Sequence, residues 1–419
     1  MSRRVVITAG AAITPVGHGR TEILHSLKNR ISGIRPIKPN DLLARHIHSG
    51  VFGTVDAKID YGFARRYRKT MGPVAYYACQ VVKEALAESG LPEEMITSGR
   101  TGVAFGSTHG SPTVQRDIYR TFFSPSDEEY ASIGSVDYLK SMVHTTAVNI
   151  TKMFGITGRV ISSSTACTTS SQSIGYGYEA VKFGMQDIMI CGGADEYDTT
   201  TVAVFDNLLA CSTSFNDTPR LTPRPFDEAR DGLVVGEGAG AVVLEEYESA
   251  RRRGAPILAE IIGFDCNNNG GDLILPSADG IQAVLRSALG QADIDPRTVD
   301  LVSAHATATR MGDVVEAMAM RKIYGETRDD AVQGPEVVAL KSYMGHTMAA
   351  CGVLETLMAI WMAEEGYIAP TLNLTDIDPR CAGLRHVTEG HEAEIRTAVV
   401  QNFAFGGVNT CLVLRRPDA

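Results

Sequence analysis

The chain has 419 residues, 44% of them apolar, enough to bury the core of two domains or of one double-sized domain. A formal net charge of −10 argues against a general nucleic-acid binder, whose footprint is basic. No apolar run approaches the ~18–20 residues needed to span a membrane.

Eight cysteines, at positions 79, 167, 191, 211, 266, 351, 381 and 411, form no CxxC pair and match no zinc spacing. They read as reduced, mostly buried thiols in a reducing compartment, with no metal bound. Ser2-Arg3-Arg4 followed by Val5-Val6-Ile7-Thr8 imitates an export signal. The apolar part is short, however, and runs into Gly10, Pro15 and Gly17, as a first strand entering a turn does. A soluble cytoplasmic protein is expected.

Strands alternate with helical patterns, the grammar of mostly parallel sheets covered by helices. Strands are expected at 5–8, 101–105, 160–163, 188–191 and 239–244, and helices at 73–89, stopped by Gly90, and from Cys167 through Ala180. The second part repeats the pattern, with strands at 257–262, 299–303, 398–400 and 411–414 and helices at 314–323 and 351–364. The α/β reading is therefore two similar halves, 1–255 and 256–419.

Three segments stand out chemically. Ser162-Ser163-Ser164-Thr165-Ala166-Cys167-Thr168 puts a cysteine among small residues between a strand and a helix. A helix N-terminus favours the thiolate, and small neighbours admit a thioester; a buried structural thiol is the plain alternative. His305 follows an apolar strand, where α/β sheets usually place chemistry, and His346 sits in a glycine-containing turn after Lys341. Each histidine alone is more often structural, and no HExxH-like spacing supports zinc.

Taken in order, these segments resemble the condensing enzymes of the thiolase superfamily, above all the elongating β-ketoacyl-carrier-protein synthases of type II fatty acid and polyketide systems. The resemblance rests on Thr165-Ala166-Cys167, Arg224-Pro225-Phe226-Asp227 with Arg230-Asp231-Gly232, Gly236 to Gly240, His305 to Thr309, Lys341-Ser342 with Gly345-His346, and Phe403 to Asn409. It implies a five-layered α/β/α/β/α fold of two related halves. It also implies decarboxylative Claisen condensation, in which Cys167 holds the acyl group and malonyl carrier protein supplies two carbons. Cys167, His305, His346 and Lys341 would be the catalytic set, with Lys341 orienting the histidines; an ion pair with Glu355 is its structural alternative. The backbone N–H groups of Cys167 and Phe405 would form the oxyanion hole. Phe403 would gate the site, and Thr307 and Thr309 would bind pantetheine.

No bound cofactor is implied, since the substrates ride on the phosphopantetheine of an acyl carrier protein. The basic run Arg65, Arg66, Arg68 and Lys69 would dock that acidic carrier. A homodimer, or a heterodimer with a chain-length-factor-like subunit, is expected. Ala306, Ala308, Ala404 and Leu233 depart from the family pattern, as does the stretch from Asp265 to Pro276. Ala404 is expected to stiffen the gating loop, because glycine alone readily visits unusual backbone angles. The alanine-containing histidine motif resembles bacterial polyene synthases, including those of aryl polyenes. Non-catalytic chain-length factors lose the cysteine, and thiolases need a second catalytic cysteine in a glycine-rich context that Cys411 lacks. Both are therefore disfavoured, although the catalytic half of a heterodimer, inactive alone, stays open.

Overall fold

The computed structural model describes residues 3–37, 46–55, 62–123, 133–325 and 334–417. Its main sheet has twelve strands, of which Gly17–His18 only extends the end of the first and the other eleven form one continuous order: β1 (Val5–Thr14), β2 (Thr101–Gly106), β3 (Val160–Ile161), β4 (Ile188–Asp195), β5 (Gly238–Glu246), β6 (Ala259–Asn268), β7 (Leu301–Ser303), β8 (Glu336–Val338), β9 (Arg385–His386), β10 (Thr397–Phe403) and β11 (Val408–Arg415). Their spatial order is β9-β8-β7-β10-β11-β6-β1-β5-β4-β2-β3.

That order repeats itself about the β1/β6 contact, with β9 a further parallel strand beyond β8 that has no counterpart. Moving outward on one side, β1 pairs antiparallel with β5, β5 antiparallel with β4, and β4, β2 and β3 run parallel. On the other side β6 pairs antiparallel with β11, β11 antiparallel with β10, and β10, β7 and β8 run parallel. The central strands explain the small-residue content. β1 is VVITAGAAIT and buried throughout, since a strand covered on both faces has no polar side to offer.

Five helices fix the layers: α1 (Pro73–Ser89), α2 (Thr169–Lys182), α3 (Ala278–Ala292), α4 (Gly312–Tyr324) and α5 (Cys351–Glu365). α1 starts on a proline and stops at Gly90, which takes the left-handed conformation a helix C-terminus favours. α1 covers β1, β5 and β4 from outside, and α3 covers β6 and β11. α2 and α5 lie between the two halves of the sheet and touch both as well as each other, which makes the arrangement α/β/α/β/α. α5 is apolar all round and buried from Cys351 to Ala363, the character of a helix with no solvent face. α2 reaches its position differently, with Ser, Thr and Gly in place of bulk. A Cβ on Gly175 would collide with the Phe264 ring of β6, and one on Gly352 would collide with Ser171 Oγ.

The expected elements recur with shifted bounds: the strands expected at 160–163 and 299–303 shorten to Val160–Ile161 and Leu301–Ser303, and the one expected over 257–262 runs on to Asn268, into the atypical stretch. β8, α3 and the helix Thr199–Asn207 were not expected from the pattern. Seven of the eight cysteines are buried and Cys266 is half-buried. No helix among the described residues is long and apolar enough to cross a membrane.

Close helix–sheet approach at Gly175 gives a stability prediction. Gly175→Ala is expected to lower the unfolding free energy by about 1–3 kcal/mol through overpacking against Phe264. Denaturant titration measures it, and wild-type stability would mean that the ring moves aside freely.

Candidate active site

The two central helices begin in the same unusual way. Before α2 a 3-10 turn, Ala166–Thr168, opens on Ala166 with φ +50°; before α5 the turn Met348–Ala350 opens on Met348 with φ +45°. Left-handed backbone at a non-glycine residue is strained and persists only where the surroundings enforce it. The turns are topological counterparts, each following the third parallel strand of its half, and Thr165 and Thr347 precede them in register. The first presents Cys167 and the second follows His346.

Cys167, His305 and His346 meet at one end of a cavity of about 190 Å³ that is also lined by Phe205, Leu233, Thr307, Thr309, Phe403 and Phe405. Each of the three is at least nine-tenths buried. His346 Nε2 lies 2.8 Å from Cys167 Sγ, and the two imidazole rings stand edge to face at 5.4 Å.

The tautomers follow from the neighbours. The backbone N–H of Met348 donates to His346 Nδ1 at 3.2 Å, so the proton of a neutral ring sits on Nε2 and faces the sulfur. His305 Nδ1 faces the Asn402 amide nitrogen at 3.5 Å; that nitrogen donates to Glu355 at 2.7 Å while the amide oxygen accepts from Ser171. His305 therefore also carries its proton on Nε2. Burial and the nearby Lys341 charge hold both histidines well below the usual histidine range, so both are neutral donors.

Burial pushes the Cys167 thiol up to about 11, against the Lys341 charge and the backbone N–H groups of Cys167 and Phe405, both aimed at the sulfur. Those two N–H groups are the pair expected to form an oxyanion hole, and a carbonyl carbon bonded to Sγ would bring its oxygen beside them. Lys341 is buried and pairs with Glu355 at 2.5 Å. Burial, the largest influence, lowers its pKa; Glu355 together with Cys351 and Glu316 raises it on balance and keeps the ammonium charged. The ion pair and the position beside the histidines thus coexist.

Cys167, His305 and His346 also hold three potential metal-ligand atoms within 4.8 Å of one another. Sulfur and nitrogen bound to one tetrahedral zinc would stand roughly 3.5 Å apart, from Zn–S and Zn–N bonds of ~2.3 and ~2.0 Å. The 2.8 Å contact is a hydrogen bond, and the buried ammonium opposes a cation.

The remaining expected residues separate. Thr307 and Thr309 line the cavity with hydroxyls 3.2 Å apart. Phe403 ends β10, buried, its ring 5.7 Å from His305; Phe405 lies in the following turn, half-buried, its ring 5.8 Å from Phe205. Arg65, Arg66, Arg68 and Lys69 are exposed on and just after a short helix and are not part of the cavity wall. Ala404 is not among the residues of positive φ; Gly406 and Gly407 are, so the alanine there carries no such strain. The strained alanine is Ala308, at φ +66° in the histidine loop.

Several working residues escaped sequence reasoning. Glu316, on α4, accepts the N–H groups of His305 and Ala306 at 2.7 Å each and the Gln401 amide at 2.6 Å. Burial pushes it up to about 7, with those donors opposing. A glutamate on the buried face of a helix eleven residues after a histidine was the available signal. The 224–240 segment acts as a seat. Buried Arg230 donates to the carbonyls of Thr309 and Arg310, Val234 and Gly236 bond the His346 backbone, and a Cβ on Gly236 would stand 2.5 Å from the Met344 carbonyl.

The buried pair supplies a test. Lys341→Met leaves Glu355 without its partner and is expected to cost about 3–5 kcal/mol of stability, most of it recovered when Glu355→Leu is added. Chemical denaturation of the single and double variants measures this; equal losses would show that the ion pair is not the cause.

Known proteins similar to this chain are numerous. The family model described as β-ketoacyl synthase, N-terminal domain, matches residues 2–250, and the corresponding C-terminal domain model matches 258–375. The 3-oxoacyl-[acyl-carrier-protein] synthase 1 of Escherichia coli K12 is 34% identical over 415 residues, 99% of each chain. A β-ketoacyl synthase from Burkholderia phymatum superposes with a TM-score of 0.92 at 40% identity, covering 99% of this chain and 100% of that one. The ishigamide ketosynthase/chain length factor superposes at 0.88 with 28% identity, each chain fully covered. The fold is thus the thiolase-like one, and the chain belongs to the β-ketoacyl synthase family of condensing enzymes.

Proposed function

We propose that this chain elongates a carrier-bound acyl group by decarboxylative condensation at Cys167, with residues 1–255 supplying the nucleophile and 256–419 the histidines. The observation that carries the reading is the meeting, around one buried sulfur, of the His346 Nε2 donor at 2.8 Å, a His305 ring nitrogen within 4.8 Å and two backbone N–H groups.

Cys167 attacks the acyl thioester and its proton leaves on the carrier thiol. Malonyl carrier protein then loses carbon dioxide, and the two electrons of the broken bond form an enolate. Its oxygen accepts from His305 and His346, neutral donors of fixed direction that gain strength as charge develops. The enolate carbon attacks the Cys167 thioester. The oxyanion rests on the N–H groups of Cys167 and Phe405 until the C–S bond breaks, and the released thiolate takes a proton. Because His346 Nδ1 is occupied by the Met348 N–H, its ring serves as donor and not as base to the thiol. Lys341 keeps positive charge beside the site, Thr307 and Thr309 hold the pantetheine arm, and Phe403 gates the entry beside the more exposed Phe405.

The carrier protein would dock on Arg65, Arg66, Arg68 and Lys69, where charge steers encounter more than it adds affinity. A second subunit would cover the exposed apolar side chains Tyr119, Phe122, Tyr138 and Leu139, carried on two helices in contact, Pro112–Phe122 and Ser135–Ser141. Likeness to a ketosynthase/chain length factor supports a heterodimer as the second reading. Fatty acid synthesis and type II polyketide synthesis, aryl polyenes included, both use this reaction.

Intact mass spectrometry tests the chemistry. With acyl and malonyl carrier proteins, the expected results are an acyl adduct on the enzyme, absent in Cys167→Ala, and a β-keto product two carbons longer. His305→Ala and His346→Ala are each expected to slow condensation by about 10²–10³-fold. An adduct without elongation would favour the heterodimer; neither adduct nor product would reject the stand-alone synthase. Charge reversal of the four basic residues to glutamate should raise KM for the carrier substrates and flatten its salt dependence while kcat holds. A wild-type KM would remove that docking site.

A further inference from the structure

A buried carboxylate outside the expected catalytic set links its two halves. Asp195 ends β4 and is 1% exposed. One oxygen accepts the Thr108 N–H at 3.0 Å; the other accepts the Thr108 hydroxyl at 2.6 Å and the Ala349 N–H at 2.8 Å. Ala349 follows Met348, the left-handed residue whose N–H sets the His346 tautomer. Thr108 follows β2, and its carbonyl lies 3.4 Å from the Ser164 hydroxyl, in the segment that leads into Cys167. One side chain thus grips the histidine turn of one half and the loop beside the nucleophile of the other.

A second observation, from the backbone, points the same way. Two residues earlier on β4, a Cβ on Gly193 would stand 2.5 Å from the Ala349 carbonyl and 3.0 Å from Ser170 Cβ on the nucleophile helix. The end of β4 is therefore wedged between the two strained turns, where only a residue without a side chain fits. Asp195 supplies the polar half of that wedge. Its charge is also close enough to the sulfur to add to the upward push that burial gives the Cys167 thiol, which Lys341 opposes.

We infer that Asp195 is a positioning residue for condensation: by clamping the Ala349 N–H and the Thr108 loop it fixes the direction of the His346 Nε2–H relative to Cys167 Sγ. The inference rests on the condensing reaction proposed above. Asparagine at 195 can still accept from the Thr108 N–H, but its NH2 cannot accept from Ala349, so the turn loses its anchor with almost no change of volume.

The test compares wild type, Asp195→Asn and Thr108→Val, with active sites counted by Cys167 labelling. Asp195→Asn should lose about tenfold to a hundredfold in kcat, the usual cost of a small misplacement, with KM for both carrier substrates within about twofold. A merely structural role would lower the melting temperature and leave kcat per labelled site where it was. Wild-type kcat per site overturns the inference. Thr108→Val removes one of the two Thr108 donors and should lose several-fold in kcat at unchanged KM; if Asp195→Asn does not fold, a wild-type kcat in Thr108→Val overturns the inference. A wild type that never condenses would instead reject the proposed reaction on which the inference rests.

Discussion

The site depends on two helices packed between the halves of one sheet at distances that only glycine and small polar residues allow. α2 brings Cys167 and α5 brings the Lys341–His346 segment, and the contacts at Gly175 and Gly352 set how near those segments come. Burial on this scale has an electrostatic consequence. A thiol, two imidazoles, an ammonium and several carboxylates share a space from which water is largely excluded, so each pKa is decided by its neighbours. The neutral histidines are the result: in water they would titrate near neutrality, and here they remain donors across the physiological range.

Strain and hydrogen bonding divide the work. The left-handed turns at Ala166 and Met348 place a side chain and an N–H where helical geometry could not, and such strain survives only under restraint. The restraint comes from buried acceptors. Glu316 holds the His305 loop, Asp195 holds the Met348 turn, and the Arg224–Gly240 segment holds the backbone of both histidine loops. A motif that looks catalytic in the sequence is here mainly a seat, since Arg230 spends its donors on backbone carbonyls and carboxylates.

The repeated topology gives the two turns a common logic with different outcomes. The position occupied by Cys167 in one half is occupied by Ala349 in the other, where the N–H serves instead of a side chain. One turn presents a thiol, and its counterpart orients the histidine through the Met348 N–H.

Local chemistry was legible in the residues themselves. Strand and helix positions followed from apolar periodicity, Gly90 marked a helix end, and the cysteine and histidine motifs were identifiable because small residues and turn glycines must flank them. Short elements such as β8 were not legible, because three residues, Glu336-Val337-Val338, carry no period. Nor were Glu316, Asn402 and Asp195, whose roles arise from partners up to 231 positions away. Only the tertiary structure decided which ring nitrogen carries a proton, because that depends on the Met348 N–H and the Asn402 amide. It alone decided that Ala308, not Ala404, bears the strained backbone, because φ is set by the loop around a residue and not by its type. The sequence determined which groups could react; packing decided which way they point and which charges they keep.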